Sequence, residues 1–296
     1  MKLLRVVGIL VLSVTVAALI TLGAMVQTSR SSLARAYEAH GAELAIPDDE
    51  ASLAEGHRLY RAYGCVSCHL EDGGGRIVIA EGPGFIAAPD LSTAMRNWTP
   101  AELDGLVRWG VRPDGSPVLL MPAHDYWYLD DASVAAILGY ARTLPPTGRG
   151  YPPSELTMLG HVLHALDAFP LVPAEHVGPV GRRPPMGEPG TVERGRTLGR
   201  MCTGCHGEHL SGGVIPGTDP AQLGTPPNLT NDPSGLSAWT EEQFRTALRT
   251  GVTPAGTTLN ATWMPWQDCY QYFTDDEIHS LWLWLRELPP QPAGNR

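Results

Sequence analysis

The sequence predicts an all-α fold in which two tandem helical domains follow an N-terminal transmembrane helix. Three observations support this prediction: an apolar run over residues 4–26, helix-start and helix-stop patterns that recur in both halves, and a Cys-x-x-Cys-His pentapeptide that occurs twice. The 296 residues leave room for two domains of about 100–150 residues each. Hydrophobic residues make up 43%, which permits packed cores, whereas 33 Gly and 27 Pro indicate long irregular loops between helices.

The N-terminal apolar run is long enough to cross a membrane. It continues for about 20 positions after Arg5, and a helix of that length spans a hydrocarbon core of about 30 Å. Lys2 and Arg5 precede the run, so we expect the N-terminus in the cytoplasm and the rest of the chain on the periplasmic side of the inner membrane. A cleaved signal peptide, with Leu22-Gly23-Ala24 as the cleavage site, is the alternative. Either arrangement puts both pentapeptides outside the cytoplasm.

The two pentapeptides have the pattern of covalent haem c attachment. With 5 Cys and 10 His in the chain, one chance match has an expectation of about 0.003. The pattern predicts two haem c groups held as thioethers by Cys65 and Cys68 and by Cys202 and Cys205. A zinc knuckle or paired disulfide thiols are weaker explanations, because zinc sites seldom place His directly after Cys. The histidine that closes each pentapeptide, His69 or His206, is the predicted iron ligand.

The fifth cysteine, Cys269, has no partner in this scheme. We expect it to be a small buried hydrophobic residue. An intermolecular bridge or a reactive thiol is the alternative.

The second half of the chain repeats the first well beyond the pentapeptides. Pro89-Asp90-Leu91-Ser92 aligns with Pro227-Asn228-Leu229-Thr230. The helix start at Thr99–Glu102 aligns with Thr240–Gln243, and both have the residues of a capping box. The repeat therefore covers a whole domain, including a final helix that precedes Leu-Pro-Pro in each half.

The repeat also selects the second ligand of each iron. A low-spin c-type haem often takes a methionine thioether opposite its histidine. Met121 and Met264 occupy matching places, each directly before a proline that stiffens its loop, and we predict that they are these ligands. His124 is the alternative in the first half. Arg108 and Arg249 could pair with haem propionates, although exposed arginines on a polar helix face fit equally well.

These patterns divide the chain into six segments. They are the anchor or signal peptide 1–28, a tether 29–47, the first domain 48–147, a Pro/Gly-rich linker 148–189, the second domain 190–290 and a tail 291–296. The linker contains one amphipathic segment, Ser154–Phe169, which is too short and too polar to span a membrane. We expect its leucine side to pack along a haem domain. His161 and His164 within it are a polar helix face or, alternatively, a ligand pair.

The composition limits the partners. The net charge of −10 argues against nucleic acid, whose phosphates attract basic surfaces. An acidic surface can steer a basic protein partner or can serve solubility alone. The glycine run Gly73–Gly75 is not a nucleotide site, because no strand-to-helix context and no Lys-Ser/Thr follow it.

With both pentapeptides and both Met-Pro pairs in place, the chain resembles a dihaem c-type cytochrome with two class I cytochrome c domains. The resemblance covers about residues 50–146 and 190–290. Residues 228–240 and 264–290 are similar to the cytochrome c subunits of membrane-bound dehydrogenases. Those subunits typically carry three haem domains, whereas this chain has two and an N-terminal apolar run.

This pattern favours a membrane-anchored electron carrier. Its donor would be a membrane or periplasmic dehydrogenase or a quinol-oxidising complex, and its acceptor a terminal oxidase or a soluble cytochrome. Two filled axial positions would leave no place for a small-molecule substrate at either iron, so we expect no catalytic residues. The alternatives are a dihaem enzyme, either peroxidase-like or thiosulfate-oxidising, and a subunit of a respiratory complex whose haems act as a wire.

Overall fold

The structure is a computed structural model that describes residues 2–168, 170–178, 185–215 and 218–296. Residues 169 and 179–184 of the predicted linker, including the end of the amphipathic segment at Phe169, lie outside the described residues. Helices dominate the described chain, which confirms the all-α prediction.

The N-terminal apolar run forms one helix, α1 (Lys2–Ala34). It is long and apolar enough to cross a membrane, with a mean hydropathy of 2.6 over its most apolar window. The helix continues past the predicted anchor boundary at residue 28 and takes up the first part of the predicted tether. Most of its length is exposed, but Ser29 is buried.

Within the described residues, the first half contains six helices. They are α2 (Glu50–Ala62), α3 (Cys65–His69), α4 (Leu91–Asn97), α5 (Pro100–Trp109), α6 (Ala123–Tyr126) and α7 (Asp131–Thr143). Asp49 caps α2 by accepting the Ser52 N–H. Thr99 and Glu102 form the predicted capping box at the start of α5.

The remaining helices lie in the linker and the second half. They are α8 (Met158–Ala165), α9 (Val192–His206), α10 (Pro220–Leu223), α11 (Glu241–Thr250) and α12 (Asp275–Glu287), with single 3₁₀ turns at Pro173–Glu175 and Tyr270–Tyr272. The capping box predicted at Thr240 is present, and Thr274 and Glu277 form another at the start of α12. In the second half the pentapeptide is the last turn of α9, whereas in the first half Gly64, with a left-handed φ of 78°, separates α2 from α3.

A small antiparallel sheet in the first half was not predicted. Its strands, in spatial order, are β1 (Ile77–Ile79), β2 (Gly84–Ala87) and β3 (Glu155–Leu156). Gly84 pairs with Leu156, so part of the linker is hydrogen-bonded to the first half. Such strands of two to four residues produce no readable alternation of polar and apolar positions.

Each half is built around one close helix crossing. Helix α2 packs on α7, and α9 packs on α12. A Cβ atom at Gly56 would overlap the carbonyl of Ala136, and one at Gly195 would overlap the carbonyl of Ser280. The absence of a side chain at these two positions therefore lets the helix backbones touch, as at other small-residue crossings.

The two halves pack against each other. Their buried apolar side chains form one continuous cluster that includes Leu59 and Leu198. An ion pair crosses the boundary, in which Arg58 Nη1 donates to Glu277 Oε2 at 2.9 Å and to the Tyr272 carbonyl at 2.9 Å. Because both side chains are largely buried, removing either partner alone would leave an uncompensated charge at the boundary between the halves.

Arg108 differs from both of its sequence interpretations. It is 1% exposed, and its Nε and Nη1 donors bind Asp104 at 2.5 Å and Asp131 at 2.6 Å. These contacts tie α5 to the first turn of α7, so the two donors are already used within the protein. The matching Arg249 is partly exposed and pairs with Asp275 at 2.9 Å.

Helix α8 corrects the expectation for the amphipathic segment. Its buried positions are Gly160, His161 and His164, while Leu159 and Leu166 are 51% and 60% exposed. The leucine side therefore does not pack along a haem domain. The spacing correctly indicated which residues share a side of the helix, but it did not indicate which side is buried.

Candidate haem sites

The structure brings the four residues predicted for the first haem together around one cavity. Cys65, Cys68, His69 and Met121 all line this space of about 430 Å³, whose walls are mostly apolar. Burial raises the pKa of the Cys65 thiol to about 12, so the side chain is a neutral thiol in the absence of a partner. An apolar cavity that contains two adjacent thiols, an imidazole and a thioether fits a covalently held haem.

The ring of His69 is oriented as a metal ligand requires. Its Nδ1 lies 3.2 Å from the Pro89 carbonyl oxygen, which fits an N–H donor at that position and leaves Nε2 with a lone pair. Burial lowers the pKa of His69, so the imidazole stays neutral. Metal-binding histidines commonly donate their second N–H to a carbonyl in this way.

A left-handed glycine holds the Pro89 carbonyl in place. The N–H of Gly75 donates to the His69 carbonyl at 3.0 Å, and its φ is 72°. A Cβ atom at Gly75 would overlap the carbonyl of Ala88. The loop after the pentapeptide can therefore return against the histidine only with glycine at this position.

The Met-Pro pairs of the two halves adopt the same local geometry. The Met121 carbonyl accepts the Ala123 N–H at 2.7 Å, and the Met264 carbonyl accepts the Trp266 N–H at 2.7 Å. Pro122, with φ −79° and ψ 59°, is the centre of an inverse γ-turn. The proline ring favours this φ, so it stiffens the turn that presents the methionine.

The second site repeats the arrangement of the first. His206 is buried, and its Nδ1 lies 2.8 Å from the Pro227 carbonyl oxygen. Gly212, with φ 69°, donates its N–H to the His206 carbonyl at 2.9 Å. Burial lowers the pKa of His206 and raises that of the Cys202 thiol to about 12, while Cys205 is on the exposed side of the helix. These residues fit a second covalently held haem by the same chemistry.

His124, the alternative ligand in the first half, is not among the described residues that line the cavity. Its Nδ1 is buried without a hydrogen-bond partner among the described residues. Burial, together with His176 and Arg200, lowers the pKa of His124 to about 4. Its neighbour Asp125 does line the cavity, and burial raises the pKa of that carboxyl to about 7.

The first cavity also contains residues that the sequence did not assign to it. Cys269 and Tyr270 come from the second half and line the cavity together with Met201. Cys269 is buried, as expected, and its Sγ lies 3.4 Å from the Ser67 Oγ within the first pentapeptide. The second half therefore completes the wall of the first site. The unassigned cysteine was the one sequence signal that could have drawn attention to this segment.

Comparison with known proteins gives a family match for each half. Residues 51–140 match the family described as cytochrome c oxidase, cbb3-type, subunit III, and residues 192–289 match the cytochrome c family. The chain is also 28% identical over 234 residues to a diheme cytochrome c-type protein of Cereibacter sphaeroides, an alignment that covers 68% of this chain and 74% of that protein.

Two further relatives are named as dehydrogenase subunits. The cytochrome c subunit of a quinone alcohol dehydrogenase from Gluconacetobacter polyoxogenes is 26% identical over 277 residues, which cover 84% of this chain. The fructose dehydrogenase cytochrome subunit of Gluconobacter japonicus is 24% identical over 283 residues, which cover 83% of this chain. The chain spans 58% of the first of these proteins and 54% of the second.

Proposed function

We propose that this chain, a dihaem c-type cytochrome with two cytochrome c domains and two covalently attached haem c groups, passes single electrons between a membrane-associated donor and a separate acceptor. One observation carries the proposal. In both halves a neutral histidine, partly buried in the first half and buried in the second, is oriented by a proline carbonyl, and the same half supplies a Met-Pro turn of matching geometry.

The proposed ligand set follows from this arrangement. Cys65, Cys68, Cys202 and Cys205 would hold the two groups, with His69 and Met121 as iron ligands in the first half and His206 and Met264 in the second. Bound haem c supplies a reversible one-electron iron couple, whose potential a thioether ligand raises. The protein orients the imidazoles through Pro89 and Pro227 and keeps water out with apolar walls. With an imidazole and a thioether bound to each iron, we expect no small-molecule substrate at iron and no bond-making catalysis.

The partners and location follow from α1 and from the relatives. Two relatives bear the names of dehydrogenase cytochrome subunits, which supports a dehydrogenase or a quinol-oxidising complex as donor. A terminal oxidase or a soluble cytochrome is the acceptor. Helix α1 anchors the chain in the inner membrane with both haem domains on the periplasmic side, as its length and Lys2 and Arg5 favour.

Optical spectra of the purified, haem-loaded full chain test the ligand set. The oxidised protein should show the weak methionine-to-iron charge-transfer band at an intensity that corresponds to two haems. Met121→Ala and Met264→Ala should each remove about half of it, since each deletes one of two thioether ligands. Met95→Leu is the matched control, because Met95 lines the same cavity as Met121 and is not a proposed ligand. If Met121→Ala left the band at full intensity, the assignment in the first half would be wrong.

A second function is favoured by the family match of the first half. The cbb3-type oxidase subunit family matches residues 51–140, and two relatives are named as subunits of larger enzymes. The chain could therefore work as the haem-wire subunit of a respiratory complex rather than as a free carrier. Extraction in mild detergent separates these functions, because a subunit copurifies with its complex in a fixed ratio and a free carrier does not.

A further inference from the structure

Helix α8 buries its polar side and exposes its apolar side. His161, His164 and Gly160 are buried, whereas Met158, Leu159 and Leu166 are 63%, 51% and 60% exposed. At 100° per residue the three exposed side chains fall within one arc of about 100°. A helix on the surface of a water-soluble domain has the opposite arrangement, with its apolar stripe towards the core.

The histidine side of α8 is attached to the N-terminal helix. Both His161 Nδ1 and His164 Nδ1 lie 2.8 Å from the Ser29 Oγ, and His164 Nε2 lies 2.9 Å from the Glu175 carboxylate. Ser29 is 1% exposed, so this contact is closed to water. The buried histidines of α8 thus contact Ser29 of α1, and His164 also contacts Glu175.

The contact lies at the outer end of the apolar run of α1. That run ends at Val26, and Ser29 follows it by three positions, or about 4.5 Å along a helix. Leu22, Met25 and Val26 are less exposed than their neighbours and share a helix side with Ser29. Because α8 packs on α1 here, α8 lies close to the end of the apolar run, where the hydrocarbon would meet the headgroups if α1 spans a membrane.

We propose that α8 is a membrane-contacting helix, which inserts Met158, Leu159 and Leu166 into the lipid surface beside α1. The inference depends on the proposed role of α1 as a retained membrane anchor. The lipid surface is the occupant that the position of α8 favours, since α8 packs on α1 through Ser29, three positions after the apolar run ends. Interfacial helices bind lipid with such an apolar side.

The contact would fix the first haem domain against the membrane. Strand β3 ends at Leu156, one residue before the Thr157 cap of α8, and pairs with β2. Ile86 and Ala87 of β2 line the first haem cavity. The first site is thus connected to the lipid surface through a short hydrogen-bonded path, and it becomes the site nearer to a donor within the membrane.

Lipid photocrosslinking of the wild-type, haem-loaded full chain tests the proposal. The protein is reconstituted in nanodiscs whose phospholipid carries a diazirine near the headgroup end of one acyl chain, and the crosslinked peptides are identified by mass spectrometry. We expect crosslinks on α1 and on residues 158–166. We expect none on the peptide with Trp263, which is 46% exposed but belongs to the second half.

The outcomes separate this inference from the anchor proposal. Crosslinks on α1 without any on residues 158–166 would overturn the inference and leave the anchor intact. Loss of crosslinks on α1 itself would overturn both. Equal labelling of the Trp263 peptide would show non-selective contact and would also overturn it.

A pair of variants adds a second measurement. Leu159→Glu with Leu166→Glu should lose at least nine-tenths of the crosslinks on α8 while keeping those on α1 and the haem absorbance. The control, Leu159→Met with Leu166→Met, keeps an apolar side and should crosslink as the wild type does. Undiminished labelling of α8 in the glutamate variant would contradict insertion of its apolar side.

Discussion

Removing the charge of Arg108 should destabilise the protein far more than the equivalent change at Arg249. Arg108→Met keeps the aliphatic stem but deletes a guanidinium that binds Asp104 at 2.5 Å and Asp131 at 2.6 Å. Asp104 is 1% exposed and would keep the Ala42 N–H at 2.7 Å but lose its counter-charge. Breaking a buried ion pair on one side costs about 3–5 kcal/mol, and we expect a loss of unfolding free energy in that range.

Arg249 provides the control, because it occupies the matching position in the repeat and its ion pair is more exposed to solvent. Its partner Asp275 is 76% exposed, so water and salt screen their interaction, and Arg249→Met should have a much smaller effect. Guanidinium chloride denaturation of the haem-loaded protein, followed by far-UV circular dichroism, measures both variants. Haem content should stay at two per chain, and the reduction potentials should not change, because the described donors of Arg108 bind protein acceptors.

Two results would refute the reasoning. A loss below about 1 kcal/mol for Arg108→Met would mean that the pair behaves as an exposed one. Equal losses for both arginine variants would mean that burial is not the deciding factor. Adding Asp104→Asn to Arg108→Met removes the uncompensated carboxylate, so the double variant should recover part of the lost free energy of unfolding. A double variant that is no more stable than Arg108→Met would also contradict the explanation.

Three further predictions follow from burial and packing. Gly56→Ala should lower the denaturation midpoint despite the better helix propensity of alanine, because its Cβ would overlap the facing helix, whereas Gly150→Ala, with open space around it, should not. Burial raises the pKa of Asp125 from 3.8 to about 7, so the folded state holds this proton more tightly than the unfolded state does. The free energy of unfolding should therefore fall as the pH rises from about 4 to about 7. Asp125→Asn should remove that fall, and midpoints that run parallel to the wild type across this pH range would contradict it. Burial raises the pKa of Cys269 to about 11, so the native protein should react with a thiol reagent at pH 8 far more slowly than the unfolded protein, and equal labelling rates would be inconsistent with this burial.

The parts of the fold that local chemistry determines were predictable from the sequence. Thr99 and Thr240 begin their helices as predicted, because a capping box involves only side-chain and backbone groups within four residues. The repeat also identified candidate iron ligands, which a single attachment motif does not indicate. It singled out Met121 and Met264 among eight methionines, and the two carbonyls make the same turn, although their role as ligands stays a prediction.

The parts that depend on distant segments were not predictable. Ser67 and Cys269 are 202 positions apart, and no local pattern indicates that they touch. Spacing showed which residues of α8 share a side, yet the identity of the buried side depends on Ser29 of α1. The burial of Arg108 likewise depends on Asp131, which begins another helix.

The wall that the second half contributes to the first cavity has a consequence for the maturation of the protein. Ser67 lies against Cys269, and Tyr270 lines the same space as Cys65 and Cys68. The residues that close this site are synthesised about 200 positions after the thiols that they cover. We therefore expect haem attachment to Cys65 and Cys68 to precede docking of the second half, which then closes the finished centre.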